Sequence, residues 1–318
     1  MISYLIRRVV QAIVVVIMAS FLVFAIMHWL PGDPILIYVT SDTYKQYTAE
    51  EIEALRHEFG LDRPVIVQYA DWLGGVVTGD FGVSIVRGTS VAEDLARALP
   101  VTLYYGLTAF IFAHLIGIPM GIVCAIRRGK WLDSTITALA NVGMTVPVFW
   151  LGIMLMYVFS LKLGWLPVGG YTPPTEDLAM SLQQLILPAF CLALGPLAGS
   201  TRQTRSAMLD VIHQDYVRTA WSKGLKERAV VSRHVIKNGI LPVVTLSGMA
   251  IAMIIGGSVL VENVFSIPGM GRLATTALFS KDYAVVQGVV LLVAIIVVFS
   301  NLLVDISYGY LDPRVRVH

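Results

Sequence analysis

The sequence predicts an all-α membrane protein with six transmembrane helices, on the strength of its composition, the spacing of its charges and the placement of its basic residues. Of its 318 residues, 56% are hydrophobic and 14% charged, with a mean hydropathy of +0.74. That lies well to the apolar side of a soluble domain. Six stretches longer than twenty residues lack Asp, Glu, Lys and Arg: 9–32, 98–126, 134–161, 178–201, 238–261 and 283–304; no other charge-free stretch reaches eighteen. About 20 apolar residues in a helix cross a hydrocarbon core roughly 30 Å thick. An even number of spans puts both termini on one side. That side carries Arg7 and Arg8, then Arg127, Arg128 and Lys130, then eight basic residues between 200 and 239, then Arg314 and Arg316, fifteen in all. The short loops opposite hold only Lys162, Arg272 and Lys281. Segment 33–97 has five more, but long loops translocate largely regardless of charge. Both termini are therefore expected in the cytoplasm.

The first span, with the N-terminus, occupies residues 1–30. Its apolar run 9–27 is longer than a signal-peptide core, and no small-residue cleavage site precedes Pro31, so it is expected to remain in place. Residues 31–98 read as a small extracytoplasmic helical cap that does not fold independently. Thr48-Ala49-Glu50-Glu51 is a capping box, in which the Thr hydroxyl accepts from a backbone N–H and Glu51 reaches back. That helix is expected to end at Phe59-Gly60. A second box, Ser90-Val91-Ala92-Glu93, starts a helix expected to stop near Pro100, and Gly74, Gly75, Gly79 and Gly82 suggest a turn-rich loop between them. Residues 99–310 are expected to hold spans two to six with a cytoplasmic loop at 200–239, and 311–318 to form a cytoplasmic tail. Spans two to four contain Pro119, Pro147, Pro188 and Pro196. Each removes a backbone hydrogen bond, and in a bilayer the freed carbonyl must face protein or a cavity. Singly they read as packing irregularities, and as a set they suggest a bent wall around a path. Gly256-Gly257-Ser258 suits close helix packing. Cys124 and Cys191 fall inside predicted spans, which argues against a disulfide framework.

Ser200–Gly239 is a basic island, with Arg202, Arg205, Arg218, Lys223, Lys226, Arg228, Arg233 and Lys237. Leu209, Ile212, Tyr216, Val217, Ala220 and Trp221 recur at spacings of three and four, which places them on one helical face. Gly224 interrupts, and Val230, Val231, His234 and Val235 begin a second stripe. Helix, glycine break and helix, held at the membrane by apolar stripes, make a protruding knob suited to a soluble partner.

Arg218-Thr219-Ala220-Trp221-Ser222-Lys223-Gly224-Leu225, followed by His234, Asn238 and Leu241-Pro242, resembles the cytoplasmic "EAA" loop of ATP-binding-cassette importer permeases. The resemblance is to the dipeptide/oligopeptide/nickel family and to the first of its two permease subunits. Tyr4-Leu5-Ile6-Arg7-Arg8, Pro31-Gly32-Asp33-Pro34, Gly60-Leu61-Asp62-Arg63-Pro64 with Gln68-Tyr69, and Gly79-Asp80-Phe81-Gly82 with Ser84 are similar to that family. So are Glu262-Asn263-Val264-Phe265 with Pro268-Gly269-Met270-Gly271, and Asp312-Pro313-Arg314. The general pattern has Glu at 218, Ala at 219 and a Leu-Pro nearer the glycine, so the salt bridge of that Glu is not expected here. The resemblance implies a type I importer permease fold and alternating access. It implies a second homologous permease subunit, two ATPase subunits and an extracytoplasmic substrate-binding protein. Arg218, Thr219, Ala220, Lys223, Gly224, Leu225 and Lys226 would form the coupling helix that docks on an ATPase. Ala220 and Gly224, lacking bulk, suit close approach of a partner backbone.

Glu262, Phe265, Pro268, Gly269 and Gly271 form a second candidate, a turn on the outer side. Glu262 is open to two readings, an outer gate or a structural span-end carboxylate. Asp305 reads as structural, on one face with Asn301, Tyr308 and Asp312. His114, inside span two, reads as a hydrogen-bonded structural residue, and one histidine is no metal site. His57, His213 and His234 fall on different sides of the membrane. The sequence contains no Gly-x-x-x-x-Gly-Lys-Ser/Thr loop, so no cofactor is expected on this chain, with ATP and Mg on the partner ATPases. The acidic outer segment, with eleven Asp and Glu, gives nucleic acid no support. Peptides are the expected cargo, with nickel or a metal chelate as the alternative. An ion-coupled secondary transporter would need mid-span charges, broken-helix ion sites or inverted repeats. The six charge-free stretches offer no such charge, and no repeat is visible. An embedded protease would have only His114 and Ser258 to use.

Overall fold

The computed structural model describes residues 2–29, 35–36, 39 and 47–311. The Pro31–Pro34 and Asp312–Arg314 motifs lie outside them. The helices are α1 (Ile2–Trp29), α2 (Ala49–Glu58), α3 (Val65–Val77), α4 (Val91–Ile126), α5 (Trp131–Thr145), α6 (Val148–Leu155), α7 (Leu178–Ile212), α8 (Asp215–Ser222), α9 (Glu227–Val230), α10 (Leu241–Val264), α11 (Met270–Phe279) and α12 (Tyr283–Leu311). Two π-helical stretches, Met156–Lys162 and Val231–Ile236, continue α6 and α9, the second followed by a short helical turn, Lys237–Gly239. Five of the described helices are long and apolar enough to cross a bilayer. The stretch 134–161, expected as one straight span, is a pair, α5 and α6 with its π-helical continuation, bent by 102°; counted as one broken span it makes the sixth. Pro147 is the cause. Its ring excludes the preceding residue from the helical region, and Val146 is extended, at φ −73° and ψ 124°.

Arg7–Thr102 and Pro268–Val298 form one compact unit. Thr48 and Glu51 make the expected capping box on α2, which stops at Phe59, with Gly60 at φ +65°. Helix α3 clamps onto α1 through Tyr69. Its ring meets Phe21 and Phe24 edge-on at 5.2 and 5.4 Å, and its hydroxyl shares a 2.9 Å hydrogen bond with Ser20. His28 adds contacts to Phe24 O (2.8 Å) and Gln68 (3.0 Å). These contacts explain why Gly74 and Gly75 lie within a helix and not the expected loop, since tertiary packing overrides their weak propensity. Helix α4 also runs through Pro100, where it was expected to stop. Leu95, Ala98, Val101 and Thr102 are buried on both sides of that proline and hold the helix through it.

Further along this unit, Met27, Val91, Leu95, Tyr283, Val286 and Val289 pack as one apolar cluster. The buried Ser84 hydroxyl donates to the buried Asp282 carboxylate, just ahead of α12. Burial pushes the Asp282 carboxyl above its ordinary range, against the opposing pull of Ser84 and Arg87. In contrast, the exposed Asp62 carboxyl is lowered by its hydrogen bond to His57.

Leu103–Ile267 form the body of the second unit. Helices α4 and α7 cross at Gly117 and Gly121, one turn apart. A methyl group at Gly121 would lie 2.5 Å from both Thr201 O and the Thr204 Cβ, and one at Gly117 would lie 2.8 Å from Leu197 O. The two backbones therefore touch, as small residues permit in apolar surroundings. Below the crossing, Arg205 of α7 donates two hydrogen bonds to Asp133 of α5, at 2.7 and 2.9 Å. Asp133 also accepts from Gly129 N (3.0 Å).

The crossing yields a test. Gly121→Ala should lower the thermal stability of the purified protein by about 1–3 kcal/mol, the usual range for overpacking. Gly256→Ala, where a methyl group would meet nothing within 4 Å, should be close to neutral. Equal melting temperatures for the two variants would contradict the packing.

Candidate functional site

Beyond the Arg205–Asp133 pair, α7 runs to Ile212, and the chain turns at His213–Gln214 into α8. The stripe from Leu209 to Trp221, expected on one helix face, is therefore split between two helices. Val217 and Ala220 face inward and join Ala125, Met208, Val230 and Val235 in a buried cluster. Tyr216, Trp221 and Leu225 face out, each more than 40% exposed. Ala220 thus serves the packing of α8, and its small side chain presents no surface to a partner.

Arg218, Thr219, Lys223, Gly224 and Lys226 are exposed. Gly224 sits at φ +74°, and a methyl group there would meet nothing within 4 Å. It ends α8 as glycine ends many helices, in the left-handed conformation, and leaves bare backbone on the outside of the turn. The Arg218–Asp215 contact (3.4 Å) is fully solvated and adds little. Asn238 ties the two legs of the knob together, its amide donating to Tyr216 Oη (3.1 Å) and His234 O (2.9 Å). The outward face therefore combines an aromatic pair, a leucine, a glycine turn and cations on a rigid base.

The second candidate lies at the far end of α10. Glu262 is 1% exposed and Phe265 2%. Ile267 N donates to Glu262 O (2.8 Å), closing the turn, and Ser266 takes φ 55°. The loop before α7 straps onto this turn. Gly170 N donates to Phe265 O (2.8 Å), and a methyl group at Gly169 would lie 2.2 Å from that same oxygen. Gly152 of α6 leaves room for the Phe265 ring. Tyr105, within electrostatic reach of Glu262, donates to Gly170 O at 3.4 Å. In the other unit Gly269 caps α11, Gly271 is buried behind it, and Met270 N donates to Thr102 Oγ1 (2.7 Å). The sequence marks Glu262, Phe265 and Pro268–Gly271. Gly152, Gly169, Gly170 and Tyr105 carry no sequence signal of their own, because their role depends on which loop meets the turn.

A cavity of about 610 Å³ opens between α7 and α10, bordered by residues 195–206 and 243–253 of those helices together with His114 and Met144. His114 Nδ1 donates to Phe110 O (2.9 Å), so the residue is held by its own helix while it borders the cavity. The Asp305 side chain lies outside the described ones. Among the described residues no three of His, Cys, Asp and Glu gather into a metal-binding group.

Residues 117–317 match the family model for the binding-protein-dependent transport system inner membrane component, and residues 1–105 match its N-terminal companion. A putative peptide transport system permease protein of Brucella abortus (strain 2308) is 42% identical over 316 residues, covering 99% of both chains. The oligopeptide transport system permease protein AppB of Bacillus subtilis (strain 168) is 43% identical over 319 residues, 99% of this chain and 100% of that one. In three dimensions the chain resembles the MetNI methionine ABC transporter in inward facing conformations. The TM-score is 0.58, over 69% of this chain and 97% of that chain, at 18% identity. That likeness concerns the fold alone. The exposed knob, the helical spans and the full-length matches converge, and the chain belongs to the family of binding-protein-dependent transport system inner membrane components.

Proposed function

We propose that this chain is the permease subunit of an ATP-driven importer of di- and oligopeptides in a bacterial or archaeal cytoplasmic membrane. Both termini and the knob face the cytoplasm, as the basic-residue asymmetry favours. A second, similar permease completes the path, two ATPase subunits dock beneath, and an extracytoplasmic binding protein delivers the peptide. Nucleotide and Mg sit on the ATPases, and this chain holds no cofactor. The relatives' names attach to peptides, which supports that cargo.

The observation that carries the reading is the knob itself. Arg218, Thr219, Lys223, Gly224, Leu225 and Lys226 are all exposed around a glycine turn whose backbone is open to a partner. The base of the knob is the buried cluster that contains Met208 of α7. Helix α7 is continuous from Leu178 to Ile212 and also borders the cavity. Motion of the ATPases transmitted to the knob would therefore tilt a wall of the path, and the permease needs no covalent chemistry. At the outer end, Glu262, Phe265, Pro268, Gly269 and Gly271 would form the gate that answers the binding protein.

Gly224→Trp places a large ring on the open face of the turn without filling the core. The spans should insert normally, while the ATPase subunits dissociate or lose their response to substrate, lowering peptide uptake at least about tenfold, equivalent to about 1.4 kcal/mol. Assembly and uptake at wild-type levels would count against the coupling role. For the outer turn, Glu262→Gln is nearly isosteric. In the reconstituted complex with its binding protein it should assemble normally, import less peptide and alter stimulation of the ATPases. Loss of assembled complex in proportion to activity would make Glu262 structural.

A further inference from the structure

We propose that the cavity between α7 and α10 is a resting site for the peptide in transit and that Arg202 binds its C-terminal carboxylate. This rests on the peptide-importer reading above. The cavity of about 610 Å³ falls within the roughly 300–1,000 Å³ usual for small-ligand sites. Its apolar surface includes Met144, Met249 and Met253, all exposed to it. Thioether side chains are flexible and polarisable, so they fit side chains of many shapes. That suits a cargo defined by its backbone and not by its side chains.

The polar groups of the cavity are the more telling part. Arg205 and Arg202 lie one turn apart on α7, yet their situations differ. Arg205 is engaged bidentately by Asp133, whereas Arg202 makes no hydrogen bond or ion pair with any described residue. Gln203 is likewise without a partner among the described residues. The Ser200 hydroxyl is no part of this set, because it is buried against Gly117 at the crossing with α4. The exposed Arg202 guanidinium and the half-buried Gln203 amide thus line one largely apolar cavity with no protein partner among the described residues. The guanidinium fork matches a carboxylate in a bidentate pair. The Gln203 amide has both the donor and the acceptor atoms that a peptide backbone requires. The terminal carboxylate is common to all such peptides whatever their side chains, and Arg202 is where it would be read.

The test uses the complete transporter in nanodiscs, nucleotide-free and without the binding protein, with radiolabelled trialanine as ligand. Saturable binding is expected, with unlabelled trialanine competing at least about tenfold better than its C-terminal amide. Arg202→Gln should weaken trialanine binding about tenfold or more and abolish the preference for the free acid. Arg202→Lys, which retains the charge, should keep that preference. Complex yield should match wild type in both variants. Equal competition by acid and amide in wild type, or trialanine binding by Arg202→Gln within about twofold of wild type, would overturn the inference, as would the absence of saturable binding. Uptake of trialanine by the full complex with its binding protein is measured in parallel. Uptake without Arg202-dependent binding sinks this inference alone, and absence of uptake in wild type sinks the peptide-importer reading with it.

Discussion

The contacts of α7 with its neighbours are the constraint on which the second unit depends. At Gly121 and Gly117 the α4 backbone touches α7 with no room for a methyl group. About one turn further on, the buried Asp133 carboxylate takes both hydrogen bonds from Arg205. Such a buried pair is more a device for fixing geometry than a source of stability. Forming it requires stripping water from both charges, whereas removing one partner strands the other. The crossing and the ion pair hold α4, α5 and α7 in one register. A third anchor is the buried cluster that joins Met208 of α7 to Val217, Ala220, Val230 and Val235 of the knob. From the cavity to the knob there is thus a continuous rigid element, the physical requirement for work done at one end to be felt at the other.

The turn after α10 is built on a different principle. It is held by backbone hydrogen bonds and close approach. Gly170 N reaches Phe265 O, Gly169 packs against the same carbonyl, and Ile267 N returns to Glu262 O. Two loops distant in sequence are thereby fastened to each other at the end of one helix. In the other unit the equivalent fastening is a side-chain pair, Ser84 with Asp282, whose carboxyl is raised by burial. Both joints place polar groups out of water with specific partners, which gives them defined geometry.

Much of the fold was legible because hydrocarbon imposes simple rules. Charge-free stretches of sufficient length marked the helices, and the Thr48–Glu51 box marked α2 to the residue. Three features were not legible, for identifiable reasons. Counting charges cannot reveal that Pro147 turns one apolar stretch into a pair bent by 102°. The break at His213–Gln214 contains neither glycine nor proline, so the apolar spacing read smoothly across it and placed Tyr216 and Trp221 on the same face as Val217 and Ala220. Gly74, Gly75 and Pro100 are breakers by propensity, yet burial around Tyr69 and around Leu95–Thr102 keeps their helices intact. Of the knob, the sequence supplied the residues and the glycine break, but not which side chains face out. Ala220 turns inward while Trp221 and Leu225 do not. The cavity was invisible, since it requires the relative register of α7 and α10, and with it the contrast between a paired Arg205 and an unpaired Arg202.

Sidedness is the central claim, because a knob that couples to ATPases must lie in the compartment that contains ATP. Labelling of single cysteines in intact cells measures it directly. Cys124 and Cys191 are both buried and free, so they provide a quiet background. With Glu50→Cys, an impermeant thiol reagent added to intact cells should react. With Lys226→Cys, exposed at the tip of the knob, the reagent should react only after the cells are opened. The opposite pattern, Lys226→Cys labelled from outside and Glu50→Cys silent, would place the knob away from any ATPase and contradict the mechanism.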